Sequence, residues 1–160
     1  MAKTAPQKDD RKVIATNRKA RFNYSIEDTF EAGLQLTGGE VKSLRNGNAN
    51  LADAYAYPRK EELFLMNCRI GPYDPAAQLA HEPTRPRKLL LHQREIDRLL
   101  GQVHERGFSL IPLQLYFKAG FAKIELALCR GKNHEDRRDD IKERETRREV
   151  DRALKGSRRR

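Results

Sequence analysis

Tryptophan is absent from this chain, and only two cysteines, Cys68 and Cys129, occur in its 160 residues. They lie far apart in apolar, strand-like segments, where each reads as a small buried hydrophobe rather than half of a disulfide or a metal pair. No apolar run approaches the roughly 20 residues that span a bilayer, and no secretory h-region is visible. The expected compartment is a reducing cytoplasm, with no membrane partner.

Enzyme signals are missing as well. The four histidines (His81, His92, His104, His134) have no metal-ligand spacing among themselves or with the cysteines. Thr37-Gly-Gly39 and Gly101 lack the partners of a phosphate-cradling loop, and Ser43 and Ser109 lack a nucleophile elbow. Glu31 and Glu40 read as solvent-facing or capping carboxylates rather than an acid–base pair. No catalysis, metal or cofactor is expected.

Charge is plentiful. Net charge is +10 and the pI about 9.9. Residues 1–129 hold 20 basic and 15 acidic side chains, residues 130–160 hold 13 and 8. Both parts are therefore basic, which points to a polyanion, nucleic acid before membrane surface. From Arg130 to Arg160 the only aliphatics are Ile141, Val150, Ala153 and Leu154. Such a segment buries too little apolar surface to offset its ordering entropy, so alone it should be disordered or a fluctuating helix.

Residues 1–16 are polar and expected to be a flexible terminus. From Ala20 to Leu36 the even positions are apolar apart from Asp28, which predicts one long strand or two joined by a bend. Thr37-Gly-Gly-Glu40 is a capping box opening a short helix that Asn46-Gly47 ends. Strands are predicted at 54–57 and 63–70 across a polar turn. Residues 71–87, with Pro72, Pro75, Pro83 and Pro86, read as an exposed loop. Ile96, Leu99, Leu100 and Val103 mark a helix that Gly107 stops, and 110–117 with 121–129 form a last hairpin around Gly120. Short strands that must protect their edges tend to close, so the fold is expected to be mainly β, a small barrel of the oligonucleotide-binding type.

Basic clusters stand at Asn17-Arg18-Lys19-Ala-Arg21, at Lys42 and Arg45, at Arg85-Pro-Arg87-Lys88, and at Lys118, Lys123, Arg130 and Lys132. Four in one small domain favour phosphate contact over solvated surface. Phe22, Tyr24, Phe30, Tyr116 and Phe121 could stack on bases, although their spacing makes most of them core.

Taken in order, Asn17-Arg-Lys-Ala-Arg21, Phe30-Glu-Ala-Gly33, Glu40-Val-Lys-Ser-Leu-Arg45, Arg87-Lys-Leu-Leu-Leu91, Leu115-Tyr-Phe-Lys118, Arg130-Gly-Lys132 and Ile141-Lys-Glu-Arg144 resemble the SsrA-binding protein (small protein B) family. The resemblance covers roughly residues 14–155. It implies a six-stranded antiparallel barrel at 17–130 with about three helices, and a basic tail at 131–160 that becomes helical on the ribosome. It also implies a cytoplasmic, monomeric RNA-binding factor of trans-translation. Such a factor binds the tRNA-like domain of transfer-messenger RNA, delivers it to stalled ribosomes and places its tail in the empty mRNA channel.

By position, the resemblance implies RNA contact by Asn17, Glu31, Leu90 and Lys123, supported by Lys19, Lys42, Arg45, Arg87 and Lys88. Arg18, Arg21, Arg130 and Lys132 join them from the basic clusters. The tail would meet the decoding centre and channel through Lys132, His134, Arg137, Arg138, Ile141, Lys142, Arg144, Arg147 and Arg148. It departs from the family at Asn133, where another Lys is usual, around His134 and Glu135, and at Thr146, where an aromatic is frequent. The alternative is a ribosomal or assembly protein whose tail is a structural counterion.

Overall fold

Alternation around Phe30 becomes strand β2 (Tyr24–Leu34), in which Phe30, Ala32 and Leu34 face the core. The computed structural model describes residues 11–73, 82–132 and 134–157. β2 pairs antiparallel with β9 (Phe121–Gly131) on one side and β7 (Arg87–Leu90) on the other. β9 returns from β8 (Ser109–Lys118) through Ala119 and Gly120, whose positive φ values of 50° and 80° match a tight hairpin turn. β8 touches β4 (Tyr55–Arg59) at Ala56↔Leu110, β4 pairs β5 (Glu62–Met66), and β5 pairs β7. The six strands thus close into the expected ring, leaving few backbone edges unpaired.

Leu63, Leu65, Leu115, Ile124 and Leu126 fill the ring with no exposed surface. Helix α2 (Gly38–Arg45) starts where the capping box predicted: Thr37 Oγ1 accepts from Glu40 N–H, and Glu40 Oε1 accepts from Thr37 N–H. Helix α3 (Gln93–Arg106) seats Ile96 and Leu99 in the core and ends at Gly107 in the left-handed conformation. Two-residue strands β3 (Ala49–Asn50) and β6 (Arg69–Ile70) pair beside the barrel.

Two expectations change. The N-terminus expected to be loose forms strand β1 (Arg11–Thr16), which extends the sheet along β8 from Arg11↔Lys118 to Thr16↔Gln114. Residues 1–10 lie outside the described part, as do 74–81 of the proline-rich loop. The long strand begins only at Tyr24, because 20–23 form a single helical turn, α1. Ala20 and Tyr24 are four apart, a spacing that suits both a strand and a helix, so periodicity could not separate them. Tertiary burial decides: Ala20 packs with Ile111, Leu113, Ala127 and Cys129 in a second small cluster.

The tail, expected to be disordered or a fluctuating helix when alone and helical on the ribosome, is helix α4 (His134–Ser157). No Pro or Gly interrupts residues 135–155, and Arg147 reaches Glu143 one turn away at 3.3 Å. Ile141, Val150 and Leu154 nonetheless stay exposed, so the helix has no core of its own. The body extends slightly further than its composition suggested. Gly131 pairs with Tyr24, and Lys132 N–H donates to the Asn23 carbonyl at 2.9 Å.

Candidate nucleic-acid interface

The outward faces of β1, β8, β9, β2 and β7 form one continuous surface. Directly paired residues share a face, so registers give its rows. One row runs Val13, Tyr116, Lys123, Gly33, Leu90; the next holds Gln114, Glu125 and Glu31; another holds Arg11, Lys118 and Phe121. Glu31, Lys88, Leu90 and Lys123, scattered in sequence, line one open groove of about 600 Å³. Leu90 is half exposed, while its neighbour Leu89 is buried. Gly33 forms the floor: a Cβ there would lie 3.2 Å from Leu90 Cβ. A side chain at that position would begin to fill the groove.

Glu31 is held in place. The Tyr116 hydroxyl donates to Glu31 Oε2 at 2.5 Å, Lys118 Nζ lies 3.4 Å from it, and Arg11 Nη2 lies 3.8 Å away. Arg11 also stacks 4.6 Å over the Tyr116 ring, which has no exposed surface. The Tyr116 hydrogen bond is the main reason that the Glu31 carboxyl stays below its ordinary pKa, against partial burial and with help from Lys118 and Arg11. Burial, followed by the same bond, pushes the Tyr116 phenol upward. Glu31 is thus an ionised acceptor with its orientation fixed by β1 and β8. Replacing Tyr116 by Phe should let the Glu31 pKa climb back toward 4.5, measured by carboxyl carbon shifts across a pH titration. An unchanged midpoint would contradict this account of Glu31.

The remaining sequence-predicted residues fall elsewhere. Arg87 is a correction: it has no exposed surface and cannot present its guanidinium to a ligand. Its Nε donates to Glu40 Oε2, and its terminal nitrogens donate to the carbonyls of Cys68 (2.7 Å), Pro83 (3.1 Å) and Arg85 (3.2 Å). Arg85 binds the other Glu40 oxygen. Glu40 is therefore not solvent-facing. Burial alone would raise its pKa, but the two arginines and the Thr37 amide outweigh that and hold it low. Lys88 is paired with Glu62 at 3.0 Å on the groove wall. Lys42 sits 5.4 Å over Tyr73, and Arg45 is exposed beyond it on α2.

Asn17 is buried, with its amide donating to the Pro112 carbonyl at 3.2 Å. Its backbone N–H also donates to the Leu113 carbonyl at 2.8 Å, which continues the β1–β8 pairing past Thr16. Asn17 and Lys19 line a separate hollow of about 600 Å³ with Tyr55 and Tyr57, so Asn17 and Glu31 share no cavity. Arg18, Lys19 and Arg21 are exposed. Arg130 covers Phe108 at 4.4 Å. Lys132 is engaged internally, donating to the Arg21 carbonyl at 3.0 Å and pairing with Asp140.

In the tail, Arg138, Ile141, Lys142, Arg147 and Arg148 are exposed, Arg137 is half-buried, and Arg144 lies 5.3 Å over Phe22. The helix root is thereby docked on α1. Asn133 and the side chain of His134 lie outside the described part. Burial pushes the Cys68 and Cys129 thiols up to about 11, as inert core groups require. Among the described residues no cluster suits a metal ion, and no helix is long and apolar enough to cross a membrane. Sequence reading missed Arg11, Tyr116 and Asp140 as organisers. Outward alternation along β8 could have flagged Tyr116, but nothing local pointed to Arg11 or Asp140.

Residues 14–156 match the family model described as SmpB protein. An SsrA-binding protein of Anaeromyxobacter sp. (strain K) is 63% identical over 149 residues, 93% of this chain and 91% of that protein. The SsrA-binding protein of Geobacillus thermodenitrificans (strain NG80-2) is 51% identical over 148 residues, 92% and 96% of the two chains. A solved chain described as "tmRNA-SmpB: a journey to the center of the bacterial ribosome" superposes with a TM-score of 0.63 at 43% identity, covering 79% of this chain and 92% of its own.

Proposed function

This chain belongs to the SmpB family, and we propose that its outer sheet face is the surface that holds the tRNA-like domain of transfer-messenger RNA. It is an RNA-binding factor of trans-translation whose partners are that RNA and the ribosome. The observation that carries the surface assignment is the groove that gathers Glu31, Lys88, Leu90 and Lys123 from three strands. A fixed carboxylate accepts N–H or ribose O–H donors, an exposed leucine over a glycine floor offers an apolar bed for a base, and the lysines meet phosphate. Structured RNA is recognised in this way, through shape, 2′-hydroxyls and splayed bases.

Lys42 and Arg45 on α2, with Arg18, Lys19 and Arg21 beside α1, add phosphate contacts at the flanks. The tail is the ribosome-facing part. Its exposed Arg138, Lys142, Arg147 and Arg148 suit an rRNA-lined mRNA channel, and His134, Arg137 and Ile141 belong to the stretch that meets the decoding centre. The work is cytoplasmic, and one copy of the chain offers the whole face.

The test is binding of a labelled tRNA-like domain in excess competitor tRNA. The labelled RNA should stay bound, with affinity falling steeply and log-linearly as salt rises. Equal displacement by competitor tRNA would favour a general ribosomal or assembly role instead.

A further inference from the structure

Phe121 stands at the tip of the β8–β9 hairpin with 70% of its surface exposed, the most exposed large apolar side chain among the described residues. Exposed apolar side chains scattered singly need no explanation. Two features set this one apart. Its cross-strand partner is Lys118, whose own partner on the other side is Arg11, so the ring shares a row with two cations. It also precedes Lys123 by two residues on the same face, and Lys118 contacts Glu31. The ring therefore marks the rim of the surface assigned above, not an unrelated patch.

We propose that Phe121 is a stacking platform for an unpaired nucleobase of the bound RNA, an assignment that rests on the RNA-binding reading of the outer sheet face. An aromatic among cations is the arrangement that captures splayed bases, with the ring taking the π-face and the cations taking the flanking phosphates. The tight turn at Ala119 and Gly120 holds the ring at the end of a paired ladder, so little freedom is lost on binding. A protein-docking role is less well supported, because the ring's own row is cationic, and the exposed apolar residues Val13 and Leu90 stand on the next row with Lys123 between them.

The chain has no tryptophan, so Phe121→Trp introduces a single indole at the proposed contact, excited selectively beyond the tyrosine band. Adding the tRNA-like domain should quench its emission, with an affinity close to that of the unaltered chain. Phe121→Ala should weaken binding by on the order of tenfold with no change in thermal midpoint, and Phe121→Tyr should restore it. Wild-type affinity in Phe121→Ala, or unquenched indole emission from the Phe121→Trp variant while labelled RNA binds, would overturn the proposal. If the unaltered chain failed to bind this RNA, the underlying assignment of the face would be at fault instead.

Discussion

Replacing Glu40 by alanine is expected to cost about 3–5 kcal/mol of stability, more than any substitution on the outer sheet face. The side chains of Glu40 and Arg87 have no exposed surface. Removing the carboxylate leaves a buried guanidinium without its counterion, and also strips the capping bond from Thr37. Equilibrium unfolding in denaturant measures the loss. Glu40→Gln keeps the shape and part of the cap, so it should lose less. Replacing both partners by apolar residues should recover much of the loss, although the carbonyls of Cys68 and Pro83 then go without a donor.

The pH dependence has a definite sign. The folded pKa of Glu40 lies below its unfolded value, so its contribution is complete above the ordinary value of 4.5 and fades as pH falls through the folded pKa. The stability difference between wild type and Glu40→Gln should therefore shrink on acidification below that value. A constant difference from neutral pH down to strong acid would count against a charged Glu40 in the core.

Removing residues 133–160 should leave affinity for the tRNA-like domain within a few-fold and abolish tagging of stalled chains. The cut belongs after Lys132, because that residue still bonds to Asn23 and Arg21 of the body. The groove residues Glu31, Lys88, Leu90 and Lys123 are untouched by it. RNA binding is read by gel shift or fluorescence, and tagging by incorporation of the tag peptide on ribosomes stalled on mRNA lacking a stop codon. Collapse of RNA binding in the truncated chain would defeat the separation of a gripping body from a probing tail. Full tagging without the tail would reduce it to a counterion.

Much of the barrel was legible from residues alone. The capping box at Thr37–Glu40 and the Gly107 stop bracket helices whose spacing is local, and the β8–β9 hairpin announces itself through alternation around Gly120. Such signals survive because turns and periodicities are short-range. β1 was not foreseen: Val13, Ile14 and Thr16 suit a strand, but the run is short and set in a polar terminus, and it pairs because the edge of β8 accepts it. The helix of the tail rests on a different balance. Its composition is that of a disordered segment, but the absence of breakers and the docking of Asp140 and Arg144 at its root favour helix.

Arg87 shows where charge alone misleads. In sequence it is one more basic residue in an Arg-Pro-Arg-Lys run, beside Lys88, which does face the groove. Strand alternation places them on opposite faces, and a carboxylate 47 residues earlier decides that the inward one is tolerated. No local pattern carries that information. The same holds for Glu31, whose orientation depends on Tyr116, 85 residues later, and on Arg11 from a strand that was not foreseen.

The sequence by itself determined the composition-level facts and the short-range ones: a basic chain, an alternating body, helix starts and stops, and motifs that place it in one family. Only the tertiary structure decided which cations are exposed and which are buried in ion pairs, which acid is fixed as an acceptor, and that Leu90 faces out while Leu89 faces in. The physical reason is that charge and hydropathy belong to residues, whereas exposure and partnership belong to register and closure.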